Sequence, residues 1–482
     1  MNSGIFSVIL YMTILLAVGL ASRKKNQTSN DFILGSRKMN FWLTALAAHA
    51  SDMSSWIFMA YPAVLFSFGF VKIWVAIGLC LFMFLNWQFV APRLRVMTEK
   101  YSSMTLSSFF ESRFNDTTGT IRIFTTISSF VFYIIYISSG LVSLGLLTET
   151  LFEIPYAIGI TIGVLAIIPY LFIGGYITLA WTDLFQGIFL FIVILFVPLF
   201  TINRLGGFEE LTNNLSLASH IQHFIPDYSF TTLLTIFFSL TSWGLGYFGQ
   251  PTIITKFMGI KNPLEIPKSK WVGMTWQIFS LLGATLIGLV GIVYFQNGLN
   301  DPQLVFINIV RDMFSPLFAV FILCAILGTT ITCTDSQILV LVSNLTEDFY
   351  KKIVRRNASS KELLLISRIN ILIVASIAYI IALLTTSSIF NLVSYAWFGL
   401  GASFGPLVLF SLYSKKVNKY GAWAGITLGT TIAAAWPLIN TLFAFEIPTL
   451  IPGFALSSFA IWTVSLATQT KKDLHETSPI DL

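Results

Sequence analysis

The sequence is dominated by apolar segments about 20 residues long, and only 10% of its 482 residues are charged. Soluble domains carry about 25% charged residues, so this composition cannot cover a water-facing surface. It excludes a soluble enzyme, a coiled coil and a disordered chain. The sequence therefore predicts an all-α, polytopic membrane protein with about 13 transmembrane helices. They fall near residues 3–22, 41–64, 66–92, 122–148, 154–175, 182–203, 229–251, 272–296, 313–344, 366–386, 389–413, 420–441 and 448–468.

Basic residues cluster in every second connection between these segments and in the C-terminal tail. Of 28 Lys and Arg residues, only Lys72, Arg204 and Arg311 fall elsewhere. Because cytoplasmic loops are rich in Lys and Arg, the pattern predicts an outside N-terminus and a cytoplasmic C-terminus. We expect the location to be a plasma (bacterial inner) membrane, which the charge pattern by itself does not specify. The pattern assigns the net charge of +6 to loops instead of a nucleic-acid partner, and it places Lys256 in one of those loops.

Three carboxylates fall within predicted spans or at the inner end of one: Asp52, Asp183 and Asp335. Ionisable groups at this depth are costly and are candidates for function. Asp52 lies near the middle of the second span, between Ser51 and Ser54. Ser and Asp side chains compete for backbone hydrogen bonds, which favours local unwinding and frees carbonyl oxygens for a small cation. A polar contact between helices is the alternative.

The seventh span contains a second interruption, at residues 243–251. Three glycines and Pro251 fall within these nine residues, and each Gly weakens a helix by about 1 kcal/mol and Pro by about 3. Trp243 and Tyr247 are four residues apart, so a remaining helix would direct both rings to one side. The pattern favours a broken helix that lines a small-solute cavity, with close helix packing as the alternative.

The ninth span carries a polar stripe. Thr329, Thr332, Cys333 and Ser336 are spaced to share one helix face, and Asp335 lies on its flank. Hydroxyl groups alone often bond back to their own helix. The adjacent carboxylate makes this face a candidate for cation binding.

The two interrupted spans are five spans apart, which is typical of an inverted five-helix repeat with substrate and ions at the repeat interface. We expect one transporter domain, 1–482. Its first core repeat would cover spans 2–6 (41–203), and its second would cover spans 7–11 (229–413). Residues 1–40 would form a peripheral helix and cytoplasmic loop, and residues 414–482 peripheral helices and a short tail.

Several motifs resemble the sodium/solute symporter family. They are SDMSSW at 51–56, WGLGYFGQP at 243–251, TEDFY at 346–350, WTD at 181–183 and GASFGP at 401–406. The similarity runs from about residue 31 to residue 437. The resemblance implies a leucine-transporter-like fold, in agreement with the positions of the two breaks.

The resemblance also implies roles for individual residues. A sodium site would use the backbone carbonyls of Ala50, Met53 and Thr329 and the hydroxyl of Thr332. Cys333 stands where a second hydroxyl is usual, and its thiol is a poor ligand for a hard cation. Residues implied in sodium coupling are Asp52, Ser54, Arg37 and Asp183. Residues implied around the substrate are Tyr136, Trp243, Tyr247 and Pro251. A possible second cation site would comprise Asp183, Thr332, Asp335 and Ser336, where the acid at 335 departs from the usual serine. Its two carboxylates would either bind a second sodium ion or share a proton.

The function implied is secondary active uptake of L-proline, driven by inward sodium flux through alternating access. Another small carboxylate or amino-acid-like solute, such as pantothenate, is the alternative, and an intramembrane enzyme is a remote one. We expect no cofactor, no transition metal and no nucleic-acid partner, only Na⁺, the solute and the lipid bilayer. A monomer suffices for this mechanism, and the sequence does not fix the oligomeric state.

Overall fold

A computed structural model describes residues 2–22, 33–173, 176–217, 224–442 and 447–469. Residues 23–32 of the predicted loop after the first helix and residues 470–482 of the predicted tail lie outside the described residues. The described chain is helical, and its single isolated β-bridge joins Met39 and Ile260.

Nineteen α-helices make up the described fold. Their bounds are α1 Asn2–Ser22, α2 Phe41–Met53, α3 Ala60–Phe68, α4 Ile73–Leu85, α5 Ala91–Lys100, α6 Leu106–Arg113, α7 Thr120–Phe152, α8 Tyr156–Ile173, α9 Tyr176–Arg204, α10 Phe208–Leu217, α11 Phe230–Leu245, α12 Pro251–Met258, α13 Ile266–Tyr294, α14 Val305–Met313, α15 Pro316–Ser343, α16 Ser360–Leu384, α17 Ile389–Tyr413, α18 Lys419–Asn440 and α19 Leu450–Ala467. A π-helical segment, Asn86–Val90, joins α4 to α5, and another, Asn344–Val354, extends α15.

Each predicted span coincides with a helix or with a broken pair of helices. Within the described residues, nine continuous helical stretches are long and apolar enough to cross a membrane. Helices α1 and α8 contain shorter apolar stretches, and the spans predicted at 41–64 and 229–251 correspond to the interrupted pairs α2–α3 and α11–α12. The prediction of an all-helical membrane protein is confirmed.

The break between α2 and α3 is centred on Ser54. Its backbone has φ 44° and ψ −167°, a strained conformation for a residue with a side chain. The Ser54 hydroxyl accepts a hydrogen bond from the Trp56 backbone N–H at 3.2 Å, and Ser51 bonds back to the Ala47 carbonyl at 2.7 Å. Side chains thus replace part of the helical ladder here, as the local sequence predicts.

The break between α11 and α12 consists of a 3₁₀ turn, Gly246–Gly249, followed by Gln250 in an extended conformation. A Cβ at Gly249 would lie 2.7 Å from both the Gly405 nitrogen and the Leu400 oxygen. These are backbone atoms that cannot move aside, so glycine permits α17 to pack directly on the break.

The second half of this broken span differs from the prediction. The sequence suggested that the span ends at residue 251, yet α12 continues from Pro251 to Met258, because Pro is well accommodated at a first helical position. Lys256 therefore lies on a buried helix with 2% of its surface exposed. The assignment of Lys256 to a cytoplasmic loop is wrong.

The two breaks meet among helices that surround them. Helix α9 packs against α2, α13 and α15, while α15 also packs against α2 and α7. Helix α12 packs against α2, and α17 packs against the 246–249 turn. The breaks and the polar stripe of α15 are therefore brought into one region of the protein core.

Candidate functional site

The residues predicted to bind sodium lie at the contact between α2 and α15. Ala50, Met53, Thr329, Thr332 and Cys333 are all at most 2% exposed. The Thr329 hydroxyl bonds back to the Ala325 carbonyl at 3.0 Å, which is consistent with the predicted use of its backbone instead of its side chain. The Thr332 hydroxyl is buried without a hydrogen-bond partner and is therefore available to a cation.

Cys333 occupies the position where the sequence comparison led us to expect a second hydroxyl ligand. Its sulfur accepts a hydrogen bond from the Gln337 amide at 3.0 Å, and Ser54 lies within side-chain hydrogen-bonding reach of it. The thiol is thus engaged with neighbouring protein groups. Ser54, at the break itself, brings a harder oxygen to the same position.

Asp52 is held in the core by a chain of hydrogen bonds from the second break. The Tyr247 hydroxyl donates to Asp52 Oδ2 at 2.8 Å, and the Gln277 amide donates to the Tyr247 hydroxyl at 3.0 Å. Asp52 is 8% exposed and Tyr247 is fully buried. A predicted coupling residue and a predicted substrate residue are therefore in direct contact.

An aromatic cavity adjoins this pair. It provides about 20 Å³ of space, enough for one water molecule, so a solute of proline's size requires the rings to move. Trp56 and Trp243 are 5.0 Å apart between ring centroids, and the Tyr247 ring meets that of Trp397 edge-on at 5.1 Å. The cavity is lined by Asp52, Met53, Trp56, Leu79, Tyr136, Trp243, Tyr247, Val393 and Trp397.

Three of the four predicted substrate residues line this cavity, and Pro251 does not. Pro251 begins α12 and lines a different cavity together with Tyr176, Lys256 and Ser336. Its proposed place beside the substrate remains a prediction.

The predicted second cation site forms a compact acidic pocket, defined here by Asp183, Thr332, Asp335, Ser336 and Lys256. Both carboxylates are fully buried. Asp183 Oδ2 pairs with the Lys256 ammonium at 2.8 Å, while Asp183 Oδ1, both Asp335 oxygens and the Thr332 hydroxyl have no hydrogen-bond partner. Buried polar groups are normally paired, so these oxygens are suited to a cation.

Arg37 lies outside the spans and ties three segments together. Its guanidinium donates to the backbone oxygens of Met258, Thr98 and Ser103 at 2.7–2.9 Å. Burial, with a smaller contribution from Arg95, lowers the pKa of Arg37 to about 10, so it stays charged at neutral pH. Arg37 therefore anchors the end of α12, not the ion site itself.

Transition-metal sites need clustered His, Cys, Asp or Glu ligands. Across the described ranges no group of three such residues could hold a metal ion. The oxygen-rich groups described above instead suit a hard alkali cation.

Sequence reasoning gave no role to four residues that the structure places at these sites. Trp56 stands in the SDMSSW motif and Trp397 four residues before the GASFGP motif, but an aromatic residue in a membrane span is usually a packing residue. Gln277 carries no local pattern. Lys256 could have been found from its position five residues after Pro251, where a helix can restart.

The Tyr247–Asp52 hydrogen bond yields a stability prediction. We expect Tyr247→Phe to lower the free energy of unfolding by about 1.5–3 kcal/mol, because a buried carboxylate loses a donor. Tyr61→Phe is the matched control, since the buried Tyr61 hydroxyl pairs with the neutral Thr285 hydroxyl at 3.1 Å and its loss should cost about 0.5–1.5 kcal/mol. Unfolding midpoints in sodium-free detergent measure both. Equal losses of unfolding free energy in the two variants would show that the Tyr247–Asp52 bond is no stronger than a bond between neutral hydroxyl groups.

Comparison with known proteins supports a single family. The sodium:solute symporter family matches residues 32–429. The high-affinity proline transporter PutP of Bacillus subtilis is 40% identical over 464 residues, covering 94% of this chain and 96% of that protein. The osmoregulated proline transporter OpuE of B. subtilis is 35% identical, covering 96% and 95%. Sodium/proline symporter 2 of Staphylococcus saprophyticus is 39% identical, covering 96% and 92%.

Solved structures agree on the fold. The substrate-bound outward-open structure of a Na⁺-coupled sialic acid symporter matches with a TM-score of 0.81 at 17% identity, covering 97% of this chain and 98% of that one. MhsT in complex with L-phenylalanine matches with a TM-score of 0.52 at 14% identity, covering 89% and 98%. The leucine-transporter-like fold expected from the sequence is confirmed, and this multi-pass membrane chain belongs to the sodium:solute symporter family.

Proposed function

We propose that the protein couples inward sodium flux to the uptake of L-proline by alternating access. Relatives named as proline transporters cover nearly the whole chain. The observation that carries the proposal is the Tyr247–Asp52 hydrogen bond at 2.8 Å. It joins the aromatic cavity to the broken helix that offers cation ligands. An ion bound at the break would therefore affect Tyr247, which lines the cavity, and a solute bound in the cavity would affect Asp52, which lies beside the ion site.

For sodium, we propose the Ala50, Met53 and Thr329 carbonyls and the Thr332 hydroxyl as ligands, with Ser54 supplying the oxygen that Cys333 lacks. Asp52 would supply a negative charge close by. A sodium ion would hold α2 against α15, because ligands come from both helices. Release of the ion would free the two helices to separate, which is the coupling that symport requires.

For proline, the aromatic cavity supports recognition of a compact zwitterion with an apolar ring. Trp243, Tyr136 and Tyr247 offer ring faces and edges. The Trp56 indole N–H is buried without a partner and could donate to the substrate carboxylate. The lining has few groups for a sugar, which would need many hydrogen-bond partners.

The energetics of one sodium ion are sufficient. At −100 mV and a tenfold gradient, its entry releases about 3.7 kcal/mol. This supports accumulation of the solute by several hundredfold, about tenfold for each 1.4 kcal/mol.

We further propose the acidic pocket as a second cation site and Arg37 as a cytoplasmic anchor for α12. The core repeats would be 41–203 and 229–413. The basic loops favour an outside N-terminus and a cytoplasmic C-terminus in a bacterial plasma membrane. The proposed repeat bounds are consistent with the helix order, in which the two broken spans stand five apart.

Uptake into proteoliposomes tests the proposed function. With an inward sodium gradient, radiolabelled proline should accumulate, and replacing sodium with choline should abolish accumulation. Trp243→Ala should raise the half-saturating proline concentration by about tenfold, because a ring contact with the substrate is lost. Trp181→Ala is the control, since Trp181 is 40% exposed on the outer surface of α9.

Two results would overturn the assignment. Proline flux that is equal with and without a sodium gradient would contradict sodium coupling. Sodium-driven uptake of pantothenate in place of proline would contradict the substrate and leave the symporter class intact.

The second cation site predicts a change in cooperativity. We expect wild-type uptake to depend on sodium with a Hill coefficient above one, and Asp335→Ser to reduce it to near one, because the pocket loses its unpaired carboxylate. Sodium titration of the initial uptake rate at clamped membrane potential measures both. An unchanged coefficient near one in both proteins would contradict a second sodium site.

A further inference from the structure

The acidic pocket already contains a cation that belongs to the chain. The Lys256 ammonium lies 2.8 Å from Asp183 Oδ2 and 3.5 Å from the Ser336 hydroxyl. It also lies over the Tyr176 ring, 5.2 Å from the centroid. Two of the four residues proposed above as ligands for a second cation are thus in contact with a covalently attached positive charge.

The rest of the pocket is not neutralised by this amine. Both oxygens of Asp335 are buried without a hydrogen-bond partner, as is the remaining oxygen of Asp183. Among the described residues, the charged groups that act electrostatically on Asp335 are Asp183 and Lys256. With both acids ionised, two carboxylates and one ammonium would leave a single uncompensated negative charge at a depth where isolated charge is strongly disfavoured.

We propose that Lys256 serves as a built-in cation of the acidic pocket, which neutralises Asp183 and leaves Asp335 to bind one mobile alkali ion. The ammonium sets the number of mobile ions that the pocket accepts, and its repulsion keeps that ion weakly held. The inference rests on the second cation site proposed above. It adds that the ion count is determined by the charge of a residue on α12, the second half of the broken helix.

This charge balance predicts the behaviour of four proteins. Wild type has one unpaired carboxylate and should bind two sodium ions, one at the main site and one in the pocket. Asp183→Asn frees Lys256 to neutralise Asp335, so one ion should bind. The double variant Asp183→Asn/Lys256→Gln restores one unpaired carboxylate and the second ion. Lys256→Gln alone leaves both carboxylates unpaired, so the pocket should accept a second mobile ion, three ions in all, and the first should bind at about tenfold lower sodium concentration because a nearby like charge is removed.

Ligand-linked stability of the purified, full-length protein measures the ion count. Ions that bind only the folded state stabilise it. At saturation, the slope of the free energy of unfolding against the natural logarithm of sodium concentration, divided by RT, equals the number of bound ions. NaCl is varied against choline chloride at constant ionic strength. Lys256→Arg keeps the charge and is the control, with a slope near two expected, as for wild type.

The comparison of the single with the double variant is decisive. Removing one partner of a buried ion pair is destabilising, whereas removing both charges is often tolerated, so the double variant remains measurable if Lys256→Gln alone does not fold. Slopes near one for Asp183→Asn and near two for the double variant support the proposal. Equal slopes in these two proteins, or a slope of one in wild type, overturn it.

Proline transport is a separate readout. Slopes that follow the charge balance in a protein that fails to take up proline would disprove the substrate and leave the role of Lys256 standing. Sodium-driven proline uptake together with slopes that do not change on substitution of Lys256 would disprove the role of Lys256 and leave the proposed function standing.

Discussion

The two broken helices meet at one contact, the hydrogen bond from Tyr247 to Asp52, and the proposed coupling of ion and solute relies on it. Each break leaves backbone groups without helical partners in a region that lipid would otherwise make dry, where unsatisfied groups cost several kcal/mol. Packing of α2, α11, α12 and α17 around the breaks makes this arrangement possible. The contact then places a carboxylate beside free oxygens on one side and an aromatic cavity on the other.

A buried carboxylate favours the binding of a cation, and binding of the solute then depends on that cation. In a medium of low dielectric constant, the charge of Asp52 acts strongly on nearby groups. An alkali ion at the α2–α15 contact would offset that charge and fix Tyr247, a wall of the aromatic cavity. In the acidic pocket between α9, α12 and α15, buried carboxylates again favour a cation. There, Lys256 supplies part of the positive charge from the chain itself.

Much of this was predictable because membrane crossing imposes strong local signals. Apolar length gave the spans, and the residues around Ser54 and Gly249 gave both breaks, since they weaken helices wherever they stand. The restart of α12 after Pro251 was missed because the break resembled a span's end, and with it the burial of Lys256. Trp397 was missed for another reason: whether a ring packs or lines a cavity depends on neighbouring helices, which one sequence does not specify.

Sodium-driven accumulation of proline by Asp52→Asn in proteoliposomes tests directly whether the buried charge of Asp52 is needed for coupling. The substitution keeps the size and the acceptor for Tyr247 and removes the charge. Asp227→Asn, in an exposed loop, is the matched control. We expect Asp52→Asn to equilibrate proline without accumulating it, or not to transport it, and Asp227→Asn to accumulate it normally. Accumulation by Asp52→Asn at the wild-type level would show that the buried charge is not needed for coupling.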